Sequence, residues 1–222
     1  MCVNILIMEI TYIGHSCFKI KDDITLVIDP YDEKIGYKMP KLKADVVACT
    51  HTHSDHHNIG AVSDYRLLID GPGEYEISNT FIYGFPTFHD DKEGKERGEN
   101  TIYSIEMEEI NLLHLGDVGH ELDQSTVEKL PYIDVLMIPV GGKYTINSKT
   151  ASKIISNLEP GLVIPMHYDT KELKGIEGLD PLEKFLEEMG VQDTVKEKDK
   201  LKITSKSDIP EETEIVILKP AH

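Results

Sequence analysis

Residues 49 to 58 read Cys-Thr-His-Thr-His-Ser-Asp-His-His-Asn and hold four of the chain's ten histidines within seven residues. A solvated loop has no need of imidazoles at alternate positions followed by an acid. Neutral imidazole nitrogens and carboxylate oxygens are metal donors, so His51, His53, Asp55 and His56 together offer four. One catalytic zinc ion takes only three protein ligands plus water, and the HxHxDH spacing therefore suits a site for two cations. The residues before it, Asp45 to Thr50, form a short apolar β-type run. A chain leaving such a strand in extended form keeps His51 and His53 on one side, two residues apart. Ser54 and Asp55 favour helix starts, which predicts a helical segment that swings Asp55 and His56 toward a second ion.

The rest of the chain must bring further donors to this segment. At 222 residues it is long enough for one large α/β domain spanning 1–222, and no linker interrupts it. The net charge of -17 argues against bulk nucleic acid as the main partner, since such binding needs clustered Lys and Arg. Apolar runs such as Ile5 to Met8 and Leu162 to Met166 fall far short of a bilayer span, and Met1 to Asn4 lacks the basic start of a signal peptide. Cys2, Cys17 and Cys49 form no CxxC spacing and leave one thiol unpaired under any pairing, which fits a reducing, cytoplasmic setting. Cys49, inside an apolar run, reads as core.

Alternating or apolar runs predict an antiparallel opening of three strands, Glu9 to Ile13, Ser16 to Ile20 and Ile24 to Pro30. Further strands are expected at Arg66 to Asp70, Thr80 to Tyr83, Thr101 to Met107, Ile110 to Leu115, Val135 to Pro139, Leu201 to Thr204 and Glu214 to Leu218. The charged, glycine-bearing stretch 90–100 reads as an exposed loop at the rim of a site. A helix starts at Asn147 and Ser148 and places Ala151, Ile154, Ile155 and Leu158 on one face before Pro160-Gly161 ends it. A second is expected from Asp180 as cap to Gly190 just past its end, and a third over Glu121 to Lys129. The alternation predicts a layered sheet covered by helices.

His89, Asp117 and His167 each stand where an apolar run ends. Groups at strand ends on one sheet edge converge, and the addition of these three makes seven donors.

In this order, HxHxDH followed by a lone His, a lone Asp and a lone His, the chain resembles the metallo-β-lactamase superfamily. Gly14-His15-Ser16, Val27-Ile28-Asp29-Pro30, His114 to His120, Pro139-Val140-Gly141-Gly142 and Pro165-Met166-His167-Tyr168 resemble its branch of L-ascorbate-6-phosphate lactonase and related hydrolases. The resemblance implies a four-layer αββα sandwich with a dinuclear site on one edge. By position it implies one ion on His51, His53 and His89, a second on Asp55, His56 and His167, and Asp117 bridging both. Asp29 matches an early Asp that orients the histidine loop from behind. Histidine at position 53, where redox di-iron relatives carry a carboxylate, favours zinc, with manganese or iron as alternatives.

Two such ions lower the pKa of a bridging water and polarise an acyl or phosphoryl centre, so the implied activity is hydrolysis of a small ester, lactone or phosphoester. Asp55 is the expected proton carrier or water-orienting group. His15, in a turn between two strands, is a second catalytic candidate beside the alternative of a histidine satisfied by backbone. His120 either bonds near the site or starts a helix, and Lys143, Tyr144 and Thr145 either line the pocket or form a surface turn. His57, His114 and His222 are expected outside the donor set. A small-molecule substrate is the expected partner, and the oligomeric state is open. The alternatives are a nuclease or RNA-processing enzyme on the same fold, or a metal-binding protein without turnover.

Overall fold

The computed structural model describes residues 7–195 and 197–221. The expectations for Cys2, His222 and the start of the run at Ile5 lie outside them. The three opening runs fold as an antiparallel meander, Met8–Gly14, Cys17–Lys21 and Thr25–Ile28. Thr25–Ile28 then pairs in parallel with Val46–Ala48, which pairs in parallel with Leu67–Ile69. With Leu201–Ile203 on the far edge these make a six-stranded sheet. The second sheet has seven strands, in the order Glu214–Ile215, Leu162–Met166, Val135–Pro139, Ile110–His114, Glu99–Met107, Thr80–Phe88 and Gly73–Ile77.

The sheets pack face to face because side chains alternate along each strand. Ile10, Phe18, Ile20, Leu26 and Ile28 of one sheet meet Ile82, Tyr103, Ile105, Leu112, Val135 and Met137 of the other in one buried cluster. Leu136 and Ile138 point the opposite way, toward helices Ser148–Leu158 and Leu182–Met189. The Val135–Pro139 strand is therefore buried on both faces, which is why it reads as an unbroken apolar run. On the outside of the six-stranded sheet, Val27, Val47 and Cys49 are covered by Tyr31, Ile35, Tyr37 and Met39. That fourth layer consists of irregular chain and a 3-10 turn at Glu33–Ile35. The αββα order of layers holds, with α-helix on one outer face.

Several elements differ from expectation for local reasons. The helix expected over Glu121 to Lys129 is a single turn, Gln124–Val127, capped by the Asp123 carboxylate on the Thr126 N–H. The helix at Leu182 has Pro181 in the cap position, and the Asp180 carboxylate is instead taken by Lys184 at 2.8 Å. Gly190, at φ 70°, ends it as expected. Glu214 to Leu218 is split between two sheets, and Gly73–Ile77 forms an edge strand that the preceding Gly-Pro-Gly obscures. Phe185 is fully buried against the Ser148–Leu158 helix cluster. Phe185→Ala should cost about 3–5 kcal/mol of stability in urea titrations, the usual range for emptying a buried aromatic site. A loss below ~1 kcal/mol would show that this helix adds little to the core.

The two sheets are joined at one rim by hydrogen bonds that cross the sandwich. Thr101 N–H donates to the Thr50 carbonyl (2.8 Å), the Tyr103 hydroxyl to the Cys49 carbonyl (2.8 Å), and His167 N–H to the His15 carbonyl (2.8 Å). This is the rim to which the site residues are delivered.

Candidate metal centre

Each site residue sits just past the end of a strand. His15 follows Met8–Gly14, Asp29 follows Thr25–Ile28, His51 and His53 follow Val46–Ala48, and His89 follows Thr80–Phe88. Asp117 follows Ile110–His114 and His167 follows Leu162–Met166. Since Ile110–His114, Val135–Pro139 and Leu162–Met166 run parallel, as do Thr25–Ile28 and Val46–Ala48, their carboxyl ends share one edge.

The HxHxDH segment departs from the helical start expected at Ser54. It forms a turn closed by His56 N–H on the His53 carbonyl (2.9 Å), and the first helical residues are a 3-10 turn at Ile59–Ala61. Tertiary bonds override the local preference: Asp32 N–H donates to the Ser54 carbonyl (3.1 Å) and Asn58 N–H to the Pro30 carbonyl (2.6 Å). The expected separation of donors still results. One group brings together His51, His53 and His89; a second brings together His15, Asp55, His56 and His167. A third joins His51, His56 and Asp117, so Asp117 lies between the other two. Asp117 Oδ2 is 3.2 Å from His56 Nε2, 3.2 Å from His89 Nε2 and 3.1 Å from His167 Nε2.

The groups behind the donors fix their orientation. Asp29 is fully buried and accepts from the Thr50 N–H and hydroxyl, each at 2.8 Å, and from His56 Nδ1 at 2.8 Å. With its proton given to Asp29, the Thr50 hydroxyl can only accept from His51 Nδ1 at 3.0 Å. His51 Nε2 is thereby left with a lone pair facing the cluster. Asn100 accepts the Asp117 N–H (2.9 Å) while its amide donates to Thr87 Oγ1 (2.8 Å) and the Leu115 carbonyl (3.0 Å). Gly116, at φ 53°, leaves no room for a side chain, because a Cβ there would stand 2.4 Å from Asn100 Oδ1. His15, Asp29 and His167 also occupy left-handed backbone conformations, at φ 56°, 49° and 53°. Such conformations in non-glycine residues are uncommon and concentrate at functional sites.

The charges show what the cluster is suited to hold. Burial, and for His51 the neighbouring His56, lowers His51 to about 3; burial and His167 lower His15 to about 4. Both imidazoles are neutral at physiological pH. Burial opposes ionisation of Asp117, yet His167 and His56 outweigh it and hold the carboxyl well below its usual range. Burial likewise disfavours a charged His56, but Asp117 and Asp29 raise it well above its usual value. The site therefore holds buried carboxylates that draw a cation between them. Six of the ten buried side-chain atoms without a hydrogen-bond partner among the described residues belong here: His15 Nδ1, His51 Nε2, His56 Nε2, His89 Nδ1, His167 Nδ1 and Asp117 Oδ1. Neutral imidazoles at His15 and His51, anionic carboxylates and the partnerless Nε2 atoms of His51 and His56 fit the donor set of a transition-metal site, and a cation bound there would displace the proton that Asp117 and Asp29 hold on His56.

All seven predicted donors come together here, and His15 joins them, its Nε2 3.2 Å from Asp55 Oδ2. The backbone alternative for His15 fails, since its ring bonds a side chain. His114, expected only as a strand residue, donates from Nε2 to the Ser16 carbonyl (3.0 Å) and accepts the Gly116 N–H (3.1 Å), so it braces the turn that carries Asp117. His120 Nε2 accepts the Phe88 N–H at 3.3 Å, one residue before His89, rather than starting a helix. Thr50, Asn100 and Arg97 were not singled out by sequence. Hydrogen bonding by Thr50 and Asn100 leaves no periodic signal, and Arg97 is hidden in a charge run.

A cavity of about 360 Å³ opens over the cluster, lined by His53, Asp55, His89, Asp117, His167, Arg97, Tyr144 and Ile176 among others. A family model described as a β-lactamase superfamily domain matches residues 9–167, more than half the chain and the whole of the donor set. The chain belongs to the metallo-β-lactamase superfamily. A solved Thermotoga maritima protein assigned as a Zn-dependent hydrolase of this superfamily is 37% identical, covers 95% of this chain and 98% of its own, and superposes with a TM-score of 0.78. A Nanoarchaeum equitans protein named a metal-dependent hydrolase is 31% identical over 86% of this chain and 98% of its own length. Igni18, a metallo hydrolase from Ignicoccus hospitalis, shares the superfamily fold at a TM-score of 0.68 and 18% identity, each chain being 97% covered. Among the described residues no helix is long and apolar enough to cross a membrane.

Proposed function

We propose that this chain is a dinuclear metal-dependent hydrolase acting on a small ester, lactone or phosphoester. The carrying observation is the convergence of seven imidazole and carboxylate donors at one rim, with His51 Nε2 and His56 Nε2 buried among them without hydrogen-bond partners. His51, His53 and His89 would hold one ion, Asp55, His56 and His167 the other, and Asp117 would serve both. Bound there, divalent ions, zinc foremost and manganese or iron as alternatives, supply an activated water and positive charge for the oxyanion that forms.

The remaining steps belong to the chain. Asp55 orients the attacking water and holds or passes its proton. Burial pushes the Asp55 carboxyl up, but the bond to His15 and the nearby His56 and His15 rings outweigh it and keep the group ionised. His15 acts through that contact, which fixes the Asp55 carboxylate. Asp29 and Thr50 set the rotations of His56 and His51. The cavity volume suits a small molecule. The net charge of -17 weighs against a nuclease role, and the unpaired buried thiols of Cys17 and Cys49 agree with a reducing cytoplasmic setting.

The test is elemental analysis of protein purified without added metal, followed by a panel of lactones, thioesters and phosphodiesters. About two equivalents of transition metal and turnover on one class are expected. Less than one equivalent after free exposure to zinc and manganese would refute the dinuclear reading.

A further inference from the structure

Two cations converge on one aromatic ring at the mouth of the site. The Arg97 guanidinium lies over the Tyr144 ring at 5.4 Å from its centroid, and Lys143 Nζ lies over the same ring at 5.1 Å. They arrive on separate segments that are each fixed in place. Arg97 ends a loop wound around the Asp90 carboxylate, which accepts the N–H groups of Lys92, Gly94, Glu96 and Arg97 at 2.7 to 2.9 Å. Lys143 and Tyr144 sit in a turn closed by Thr145 N–H on the Gly142 carbonyl (2.6 Å) and tied down by Ile146 N–H on the Val118 carbonyl (3.0 Å).

The acids lining this mouth, Asp90, Asp91 and Glu96, make no ion pair with either cation closer than 4.0 Å among the described residues. Asp90 is saturated by backbone, Glu96 is paired with Lys92, and Glu96 approaches Arg97 no closer than 4.0 Å. Lys143 donates one bond, to the Glu177 carbonyl at 2.8 Å, and the Arg97 guanidinium donates none among the described residues. An aromatic face attracts an exposed cation only weakly, and the two like charges repel, so a shared anion is the stronger partner. The location is specific. Arg97 and Tyr144 line the cavity over the donor cluster, and Arg97, Lys143 and Tyr144 line an adjoining hollow of about 190 Å³ that shares the His89 wall. In a chain of net charge -17 the general field repels anions, and with Asp90, Asp91 and Glu96 also lining these hollows it is direct contact with the two gathered cations, not a positive field, that would hold one.

We propose that Arg97 and Lys143, gathered on Tyr144, bind a fixed anionic group of the substrate, carboxylate or phosphate, at a distance from the bond that is cut. The anionic group is unchanged by the reaction. Water adds across the ester bond, the C–O bond breaks, and the alcohol leaves with a proton. The substrate assignment rests on the hydrolase reading, whereas anion binding by itself does not.

The kinetic arm compares mono-4-nitrophenyl glutarate with 4-nitrophenyl acetate on the metal-loaded protein, for the wild type and for Arg97→Met, Lys143→Met, the double variant and Lys143→Arg. The second arm titrates glutarate, and separately inorganic phosphate, into chelator-stripped protein by calorimetry. The charged ester should be preferred, and the double variant should lower the ratio of the two kcat/KM values by about 10- to 100-fold, the range for losing charge-assisted hydrogen bonds. Lys143→Arg should restore most of the ratio. Anion affinity of the stripped protein should fall about tenfold or more in the double variant. Binding of glutarate alone assigns carboxylate substrates, and binding of phosphate alone assigns phosphorylated ones. A ratio and an anion affinity both unchanged within twofold in the double variant would overturn the proposal. Absence of turnover on both esters by fully loaded protein would sink the hydrolase reading instead, and calorimetry would still decide the anion site.

Discussion

Asp117→Ala should abolish most turnover, lowering kcat/KM on the order of 1,000-fold, about 4 kcal/mol of transition-state stabilisation. The reason is positional. Asp117 Oδ2 lies within 3.2 Å of His56, His89 and His167, so one oxygen faces both donor groups. Its loss removes the shared anion and leaves His56 with Asp29 at 2.8 Å and the more distant Asp55 at 3.6 Å as counter-charges. Metal content by elemental analysis should drop together with activity, and both readouts come from one preparation. Retention of two equivalents with wild-type kinetics would show that Asp117 is not shared between ions.

The second large effect is expected from Asp29→Ala, at a residue that need not touch a metal. Asp29 is fully buried and takes three hydrogen bonds, two from Thr50 and one from His56. Removing its carboxylate strands a buried N–H, a hydroxyl and an imidazolium, which typically costs about 3–5 kcal/mol. Urea denaturation measures that loss. The same change frees His56 to rotate and should weaken metal affinity by about 10- to 100-fold, as for other groups that orient ligands. Asp29→Asn separates the two effects. Asn tolerates the left-handed backbone at φ 49° and still accepts from Thr50, but it supplies no charge to His56. Its stability should recover more than its metal affinity. Equal recovery of both would mean that the Asp29 charge is irrelevant to the site.

The candidate donors were legible because metal-binding chemistry is carried by residue type, and three of them, His89, Asp117 and His167, stand where an apolar run ends. The strands were legible for a related reason, since Val135–Pro139 and Leu162–Met166 are buried on both faces and must be apolar throughout. The fine structure between them was not. Ser54 and Asp55 have the local preferences of a helix start, but bonds to Pro30 and Asp32, more than twenty residues away, bend that segment into a turn. Asp180 looks like a cap and is instead claimed by Lys184. His114 looked passive because only the folded chain places Ser16 against its ring. Arg97 was concealed by its neighbours: in a run of lysines and glutamates, nothing in residue type marks the one cation that turns inward toward Tyr144. Local periodicity records burial, and these features depend on long-range contacts that leave no period.

The hydrogen bonds across the sandwich, His167 to the His15 carbonyl and Thr101 to the Thr50 carbonyl, place the donors of this site on two different layers. A cation gripped by both would act as a rivet through the plates. Shearing the plates would pull its holes out of line, so binding strength and the mechanical integrity of the sandwich become a single quantity. Selection for a firm grip on the ion is at the same time selection for a rigid body.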